Sequence, residues 1–333
     1  MPALLLLLAL LVHSPVHRTV LTIDGSRFSL NGKPTFLLGI SLYGALGESD
    51  DNLRRDIADL RRHGFNWIRV WATWAAFDND ISAVDPGGNP REPYIGKLAR
   101  LVEACDRAGI VVDVTLSRGD GTRASPHLMG LEAHRNAAET LAAALKPFRN
   151  WYLDLSNERN VRDKRYTSME DLSVLRDAVK RIDPNRLVTA SHGGDIDEDS
   201  LRGYLTVARL DFVCPHRPRD PHSPAQTDGR TRDMLAAMAK IGRTVPVDYQ
   251  EPLRRGYNDW QPARDDFLTD LRGALAGGAA GWCLHNGAQQ GAPDSRPRRS
   301  FDLRDGRLFD QLDDVERSVV AAARHIVDKA MIR

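Results

Sequence analysis

One alternation constrains this chain more than any other feature. From about residue 36 to residue 330, short strand-like apolar runs take turns with longer stretches whose apolar residues recur at helical spacing. Phe36 to Ile40 opens the series. The helix after it has Leu53, Ile57 and Leu60 on one face and Gly64 as its stop. Trp67 to Trp71 is the second strand, followed by a helix from Ile95 to Ala108 with the stripe Leu98, Leu101, Val102 and Cys105, ended by Gly109. Ile110 to Leu116 is apolar apart from Asp113 and Thr115, the composition of a parallel strand buried on both faces. A helix from Glu132 to Phe148, strand Trp151 to Leu155, a helix through Leu172, Leu175, Val179 and Ile182, and strand Leu187 to Ala190 continue the series. Shorter segments complete it: helix Leu201 to Ala208, strand Phe212 to Cys214, helix Met234 to Ile241, strand Val245 to Tyr249, helix Phe267 to Leu275, strand Gly281 to Leu284 and a last helix Gln311 to Ala330.

Eight strands alternating with eight helices predict an α/β protein of the (β/α)8 TIM-barrel class. A doubly wound sheet fits less well, because no glycine-rich phosphate loop opens the first helix. Ahead of the series, Asp24-Gly25 and Asn31-Gly32 are tight-turn signals that predict a short N-terminal β-hairpin, placed to plug the barrel bottom. No linker divides residues 20–333, so one catalytic barrel is expected there, with residues 1–19 as a leader. The apolar run Leu4 to Val12 has the length of a signal-peptide core and is too short to span a bilayer. Secretion or periplasmic export is therefore the expectation, although no Lys or Arg precedes the run and Ser14-Pro15 makes a poor cleavage site.

The 46 basic and 45 acidic side chains leave a net charge of +1, so the chain as a whole has no field to gather nucleic acid or an anionic membrane. An uncharged substrate and a monomeric enzyme are expected. Cys105, Cys214 and Cys283 are far apart and form no Cys-x-x-Cys pair, which argues against a zinc knuckle or a disulfide framework.

In a barrel, chemistry belongs at the C-terminal ends of the strands, and the long irregular stretches Ala72 to Pro93, Ser117 to Leu131, His216 to Arg230 and His285 to Arg299 all follow strands. Strand four ends Asp154-Leu155-Ser156-Asn157-Glu158, and strand seven ends Asp248-Tyr249-Gln250-Glu251. Two carboxyl groups facing each other across a barrel mouth are what glycoside hydrolysis requires, one to protonate the leaving oxygen and one to attack the anomeric carbon.

The order of these motifs resembles the clan A glycoside hydrolases, in particular the cellulase-like barrels of family 5. The resemblance runs from Val20 to about Gly291. It rests on Phe28-Ser29-Leu30-Asn31-Gly32-Lys33-Pro34 followed by Leu38-Gly39-Ile40, on Arg69 within the second strand, on Asn157-Glu158, and on Glu251 after Pro246-Val247. It implies a retaining glycosidase of cellulase or mannanase type, without cofactor or metal, in which Glu158 is the acid/base and Glu251 the nucleophile. By the same resemblance Arg69 holds the nucleophile ionised and Asn157 binds a sugar hydroxyl. His216 matches a family histidine, and His285, Tyr43 and Trp282 are further candidates for sugar contact, the last two as flat apolar faces alongside Trp71, Trp74, Tyr257 and Trp260. Several positions depart from the family pattern. Arg159 follows the acid/base where proline is common, Pro252 follows the nucleophile where glycine is common, Ser117-Arg118 stands where a histidine is usual, and Pro218 replaces a tyrosine.

Two other functions stay open at this stage. A metal-dependent barrel hydrolase or sugar isomerase would use Glu158, His192, His216 and Asp195 as ligands. A non-catalytic carbohydrate-binding barrel would explain the departures as lost chemistry.

Overall fold

The computed structural model describes residues 19–119, 128–256, 259–286 and 300–331; the leader and Tyr257 lie outside them. Seven strands form one curled parallel sheet in which Leu37–Ser41 lies between Trp67–Trp71 and Gly281–Leu284. On one side the sheet continues through Val111–Thr115 and Trp151–Asp154 to Val188–Thr189, and on the other to Asp248–Tyr249. The gap between those two edges is bridged by Ser191–His192 pairing with Cys214–Pro215 and by a parallel bridge from Val213 to Val247. The ring of eight closes as a (β/α)8 barrel.

Alternation within each strand sorts the side chains. Trp67, Arg69 and Trp71 point along the barrel interior, while Ile68 and Val70 pack outward into the helix layer, all of them buried. The interior needs room in two places. A Cβ on Gly39 would lie 2.1 Å from the Trp67 ring, and one on Gly281 would lie 2.2 Å from the Asp248 carboxylate. Glycine at these positions lets large side chains cross the barrel.

The outer layer consists of Asp50–Arg62, Tyr94–Ala108, Gly130–Ala144, Met169–Ile182, Glu198–Arg202 extended by a π-turn to Val207, Ser223–Ile241, Arg264–Gly277 and Asp314–Met331. The sixth helix starts eleven residues before the expected Met234. Pro224 in its first turn and Asp220, whose Oδ1 accepts from Ser223 N at 3.1 Å, mark the true start. Its early turns bury Thr227 and Thr231, whose hydroxyls bond back to Ser223 O and Thr227 O, so the buried face carries no apolar periodicity. The loop expected from His216 to Arg230 is correspondingly shorter, ending where this helix begins.

The N-terminal hairpin is present and gains a third strand, the antiparallel order being Leu21–Asp24, Arg27–Leu30, Lys33–Thr35. Leu21 and Phe28 reach into the barrel bottom, where they pack with Leu37, Trp67, Val111, Tyr152 and Phe212. Phe28 meets Phe212 edge to face at 5.1 Å, and Tyr152 meets Phe212 likewise at 4.9 Å. No helix among the described residues is long and apolar enough to cross a membrane.

Candidate active site

Arg69 is the centre of the barrel mouth. It is fully buried, and each face of its guanidinium has a partner supplied by a different strand end. Nε lies 3.0 Å from Asp113 Oδ2 and donates to Thr115 Oγ1 at 3.2 Å. Nη2 donates to Asp154 Oδ2 at 2.9 Å and to Asn157 Oδ1 at 3.0 Å. Nη1 donates to Tyr43 Oη at 3.1 Å and to Glu251 Oε1. The Tyr43 hydroxyl donates to the same Glu251 oxygen.

Glu251 is almost entirely buried, and its second oxygen, Oε2, accepts from Arg219 Nη2 at 2.6 Å. His216 Nδ1 lies 3.5 Å from that oxygen and His285 Nδ1 3.6 Å from it. Burial alone would raise the Glu251 carboxyl, but His216, His285, Arg69 and Arg219 pull it down and prevail, holding it well below the ordinary carboxylate range. Burial pulls the His285 imidazole down, against Glu251, which raises it. Arg69 and Arg219 are the guanidinium partners of Glu251.

Glu158 sits on a turn that its neighbours pin in place. Asn157 N donates to Leu116 O at 2.9 Å, Glu158 N to Ser191 Oγ at 3.0 Å and Arg159 N to Ser191 O at 3.1 Å, so strands three and five together fix the end of strand four. The φ of Glu158 is 45°, a left-handed value that a glutamate holds only when its surroundings impose it. His216 Nδ1 lies 3.3 Å from Glu158 Oε1, and Arg165 Nη1 donates to Oε2. Arg165 is in turn gripped by Asp163, which accepts from its Nη2 at 2.8 Å. One oxygen of Glu158, one oxygen of Glu251 and a nitrogen of His216 all lie within 4.8 Å of one another.

Seven of the eight site residues expected from the sequence meet here: Glu158, Glu251, Arg69, Asn157, His216, His285 and Tyr43. Trp282 does not. Its strand turns Gly281 and Cys283 inward, so Trp282 faces out, fully buried, and its indole N–H donates to Asp270 Oδ2 of the seventh helix at 2.6 Å. It holds a helix to the barrel wall and offers no face at the mouth. Tyr43 is also no open platform, since it is buried against Trp71 and Trp74 at 5.5 and 5.4 Å.

The four groups of the metal-site alternative do not gather into one site: Glu158 and His216 adjoin, while His192 and Asp195 are engaged elsewhere. His192 uses Nδ1 on Tyr204 Oη at 2.9 Å and Nε2 on Asn160 at 3.2 Å, and Asp195 is paired with Arg217. Burial lowers His192 to about 4. Arg118, at the position of the missing family histidine, turns away to His134, Tyr166 and Asp171. Arg219 and Arg165 are the two site residues that sequence reasoning missed.

Neither a family model nor a curated protein sequence matches the chain. Solved structures do match in fold. An endo-1,4-β-mannanase from Rhizomucor miehei superposes with a TM-score of 0.63 at 14% identity, over 94% of this chain and 100% of its own. A glycoside hydrolase family 5 mannosidase from the same organism gives 0.65 at 13% identity, over 95% and 99%. An exo-β-1,4-mannosidase from Opitutaceae bacterium strain TAV5 gives 0.66 at 17% identity, over 93% of this chain and 63% of its own. The chain has the (β/α)8 barrel that these proteins share.

Proposed function

We propose that the chain is a retaining glycoside hydrolase acting on O-glycosidic, β-configured linkages of an oligo- or polysaccharide, with Glu251 as nucleophile and Glu158 as acid/base. The observation that carries this reading is the pair of buried carboxylates at the ends of strands four and seven, with oxygens within 4.8 Å of each other. Retaining glycosidases hold their carboxyl groups about 5–5.5 Å apart, whereas inverting ones leave room for a water at roughly 6.5–9.5 Å.

The chemistry follows from the surroundings of each group. In the first step a Glu251 oxygen bonds to the anomeric carbon as the bond to the leaving oxygen breaks, and Glu158 gives that oxygen its proton. In the second step Glu158 takes a proton from water, the water oxygen bonds to the anomeric carbon, and the ester to Glu251 breaks to restore the carboxylate. A nucleophile must be ionised, and the two guanidiniums on Glu251 favour that state. Asn157 Nδ2, His216 Nε2 and His285 Nε2 are buried without a hydrogen-bond partner among the described residues, and they are the atoms a bound sugar's hydroxyls would engage. The two barrel mannosidases and the mannanase of similar fold make β-mannosides the first substrates to try.

Glu251→Ala should abolish hydrolysis and be rescued by azide, which attacks from the vacated side to give the inverted glycosyl azide. Glu158→Ala should spare the first step for dinitrophenyl glycosides, which need no proton to depart, and so accumulate a glycosyl adduct on Glu251 visible by mass spectrometry. Proton NMR of the first-formed sugar should show retained configuration. An inverted product, or equal losses in both variants with neither rescue nor adduct, would refute the assignment.

The clustering of Glu158, His216 and Glu251 also favours, as a second reading, a divalent cation held there. Against it, each carboxylate already carries guanidinium partners, Arg165 on one and Arg69 with Arg219 on the other. Activity that survives exhaustive chelation would eliminate that reading.

A further inference from the structure

Four histidines are buried among the described residues, and they divide by what their rings are bonded to. His134 uses both nitrogens, Nε2 on Leu155 O at 2.6 Å and Nδ1 on Arg118 Nε at 3.1 Å. His192 does the same with Tyr204 Oη at 2.9 Å and Asn160 Nδ2 at 3.2 Å. His216 engages Nδ1, 3.3 Å from Glu158 Oε1, and leaves Nε2 idle. His285 leaves both nitrogens idle, although it is only 1% exposed. A buried ring without a hydrogen bond gives the fold nothing that a phenyl ring would not, and its unmet nitrogens weaken the fold.

The ring is nonetheless held firmly. Asn286 N donates to Ser41 Oγ at 3.1 Å and Asn286 Nδ2 to Ser41 O, which pins the end of strand eight to strand one. The imidazole packs on the Tyr43 ring at 5.6 Å, and the Tyr43 hydroxyl is spent on Glu251 Oε1 and Arg69. Nδ1 lies 3.6 Å from Glu251 Oε2, beyond a hydrogen bond but well inside the reach of the carboxylate's charge. Burial, helped by the charges of Arg219 and Arg254, holds the imidazole well below its ordinary range against Glu251. A neutral ring has one N–H and one lone pair. The N–H belongs on Nδ1, because the opposite tautomer would set a lone pair against the carboxylate. Nε2, one ring atom further on, is then an acceptor that borders the same carboxylate and lacks a donor.

We propose that His285 is a specificity-determining residue whose Nε2 accepts a hydrogen bond from one hydroxyl of the sugar seated against Glu251, and that the substrate is an uncharged glycan unsubstituted at that hydroxyl. This rests on the glycosidase reading above and narrows its substrate class. A free hydroxyl has a hydrogen to give. An ether, an ester, a further glycosidic branch or an ionised carboxylate at the same position has none, and the last would also meet the charge of Glu251. The free protein keeps an unmet acceptor, and the bound sugar meets it.

The test uses the full chain and the dinitrophenyl β-glycosides of glucose, mannose and galactose. The fastest of the three is remade with each sugar hydroxyl in turn replaced by hydrogen or by fluorine, neither of which can donate. Each loss is compared with the loss in His285→Phe, which cancels the intrinsic effect of the replacement. At one position, and with hydrogen and fluorine alike, the wild type should lose about 10- to 100-fold more in kcat/KM than His285→Phe does, the cost of leaving one buried acceptor unpaired. His285→Gln, whose amide oxygen can accept the same hydroxyl, should recover part of that discrimination. Ligand-free His285→Phe should unfold no lower than the wild type, since no hydrogen bond is lost. Equal losses in wild type and His285→Phe at every position, or a position where hydrogen is costly and fluorine is not, would overturn the proposal. So would a His285→Phe protein that unfolds lower and slows every substrate alike, the mark of a structural ring. Turnover of a parent glycoside without any such position sinks the role of His285 alone, while no turnover of any parent and no Glu251 adduct in Glu158→Ala sinks the glycosidase reading beneath it.

Discussion

Arg69 concentrates the electrostatics of the molecule at one side chain. It is the shared counter-ion of Asp113, Asp154 and Glu251, all buried, and removing it would leave three carboxyls facing each other in a medium that solvates none of them. Arg69→Gln should therefore destabilise the fold by about 3–5 kcal/mol, the usual cost of breaking a buried pair from one side, read from urea unfolding at neutral pH. The same unfolding measured near pH 3, where carboxyls protonate, should show a smaller difference. This residue was legible in the sequence because an arginine on a strand buried on both faces must have a carboxylate partner. Arg219 and Arg165 were not legible, since charged residues in polar connecting segments carry no periodicity and only the folded chain brings them to Glu251 and Glu158. Trp282, expected as a flat face for sugar, packs into the helix layer instead. Strand side chains alternate between faces, and Gly281 and Cys283 on either side of it take the interior.

Between elements, the contact of the sixth and seventh helices shows how small residues set a distance. A Cβ on Gly277 would lie 2.5 Å from Thr231 Cβ and 2.8 Å from Asp228 O, and one on Gly273 3.1 Å from Asp228 N. The helices pack nearly backbone to backbone there, and Thr227 donates to Asp270 across the seam. Gly277→Val should push them apart and cost about 1–3 kcal/mol by overpacking, seen as a lowered midpoint in thermal unfolding. Asp270 links that seam to the barrel wall through Trp282, so Asp270→Ala should loosen helix and strand together and increase hydrogen exchange in Gly281–Leu284. The sequence hides this seam. Its contact residues are Gly, Thr and Asp, which read as a loop, whereas the stripe Leu98, Leu101, Val102 and Cys105 of the second helix announces itself. Strand five shows a related limit: it pairs Thr189 with Asp154 and then, past Ala190, Ser191 with Cys214, a change of partner that no local pattern encodes.

At the scale of the whole molecule, the barrel interior beneath the site is a buried store of protons. Burial pushes the Asp248 carboxyl up to about 8, against the Tyr152 hydrogen bond and Arg69, which lower it, and with Asp154, which adds to the rise. Its folded value exceeds the 3.8 of an unperturbed aspartate, so the stability it contributes is present below about pH 4 and is lost as pH rises toward 8. Urea midpoints of the wild type should therefore fall between pH 5 and pH 8, and Asp248→Asn, which stays neutral throughout, should flatten that slope; an unchanged slope would contradict it. The barrel itself was the most legible feature of the chain, because strand-helix alternation over nearly its full length leaves few other folds. What closes the bottom has a consequence of its own. With Leu21 and Phe28 seated against Phe212, Tyr152 and Trp67, the bottom of the barrel is filled by side chains. On the proposed glycosidase reading a polymer lies across the rim, and whatever is released there departs by the route the next molecule needs, so fragments left behind should act as competitors for entry.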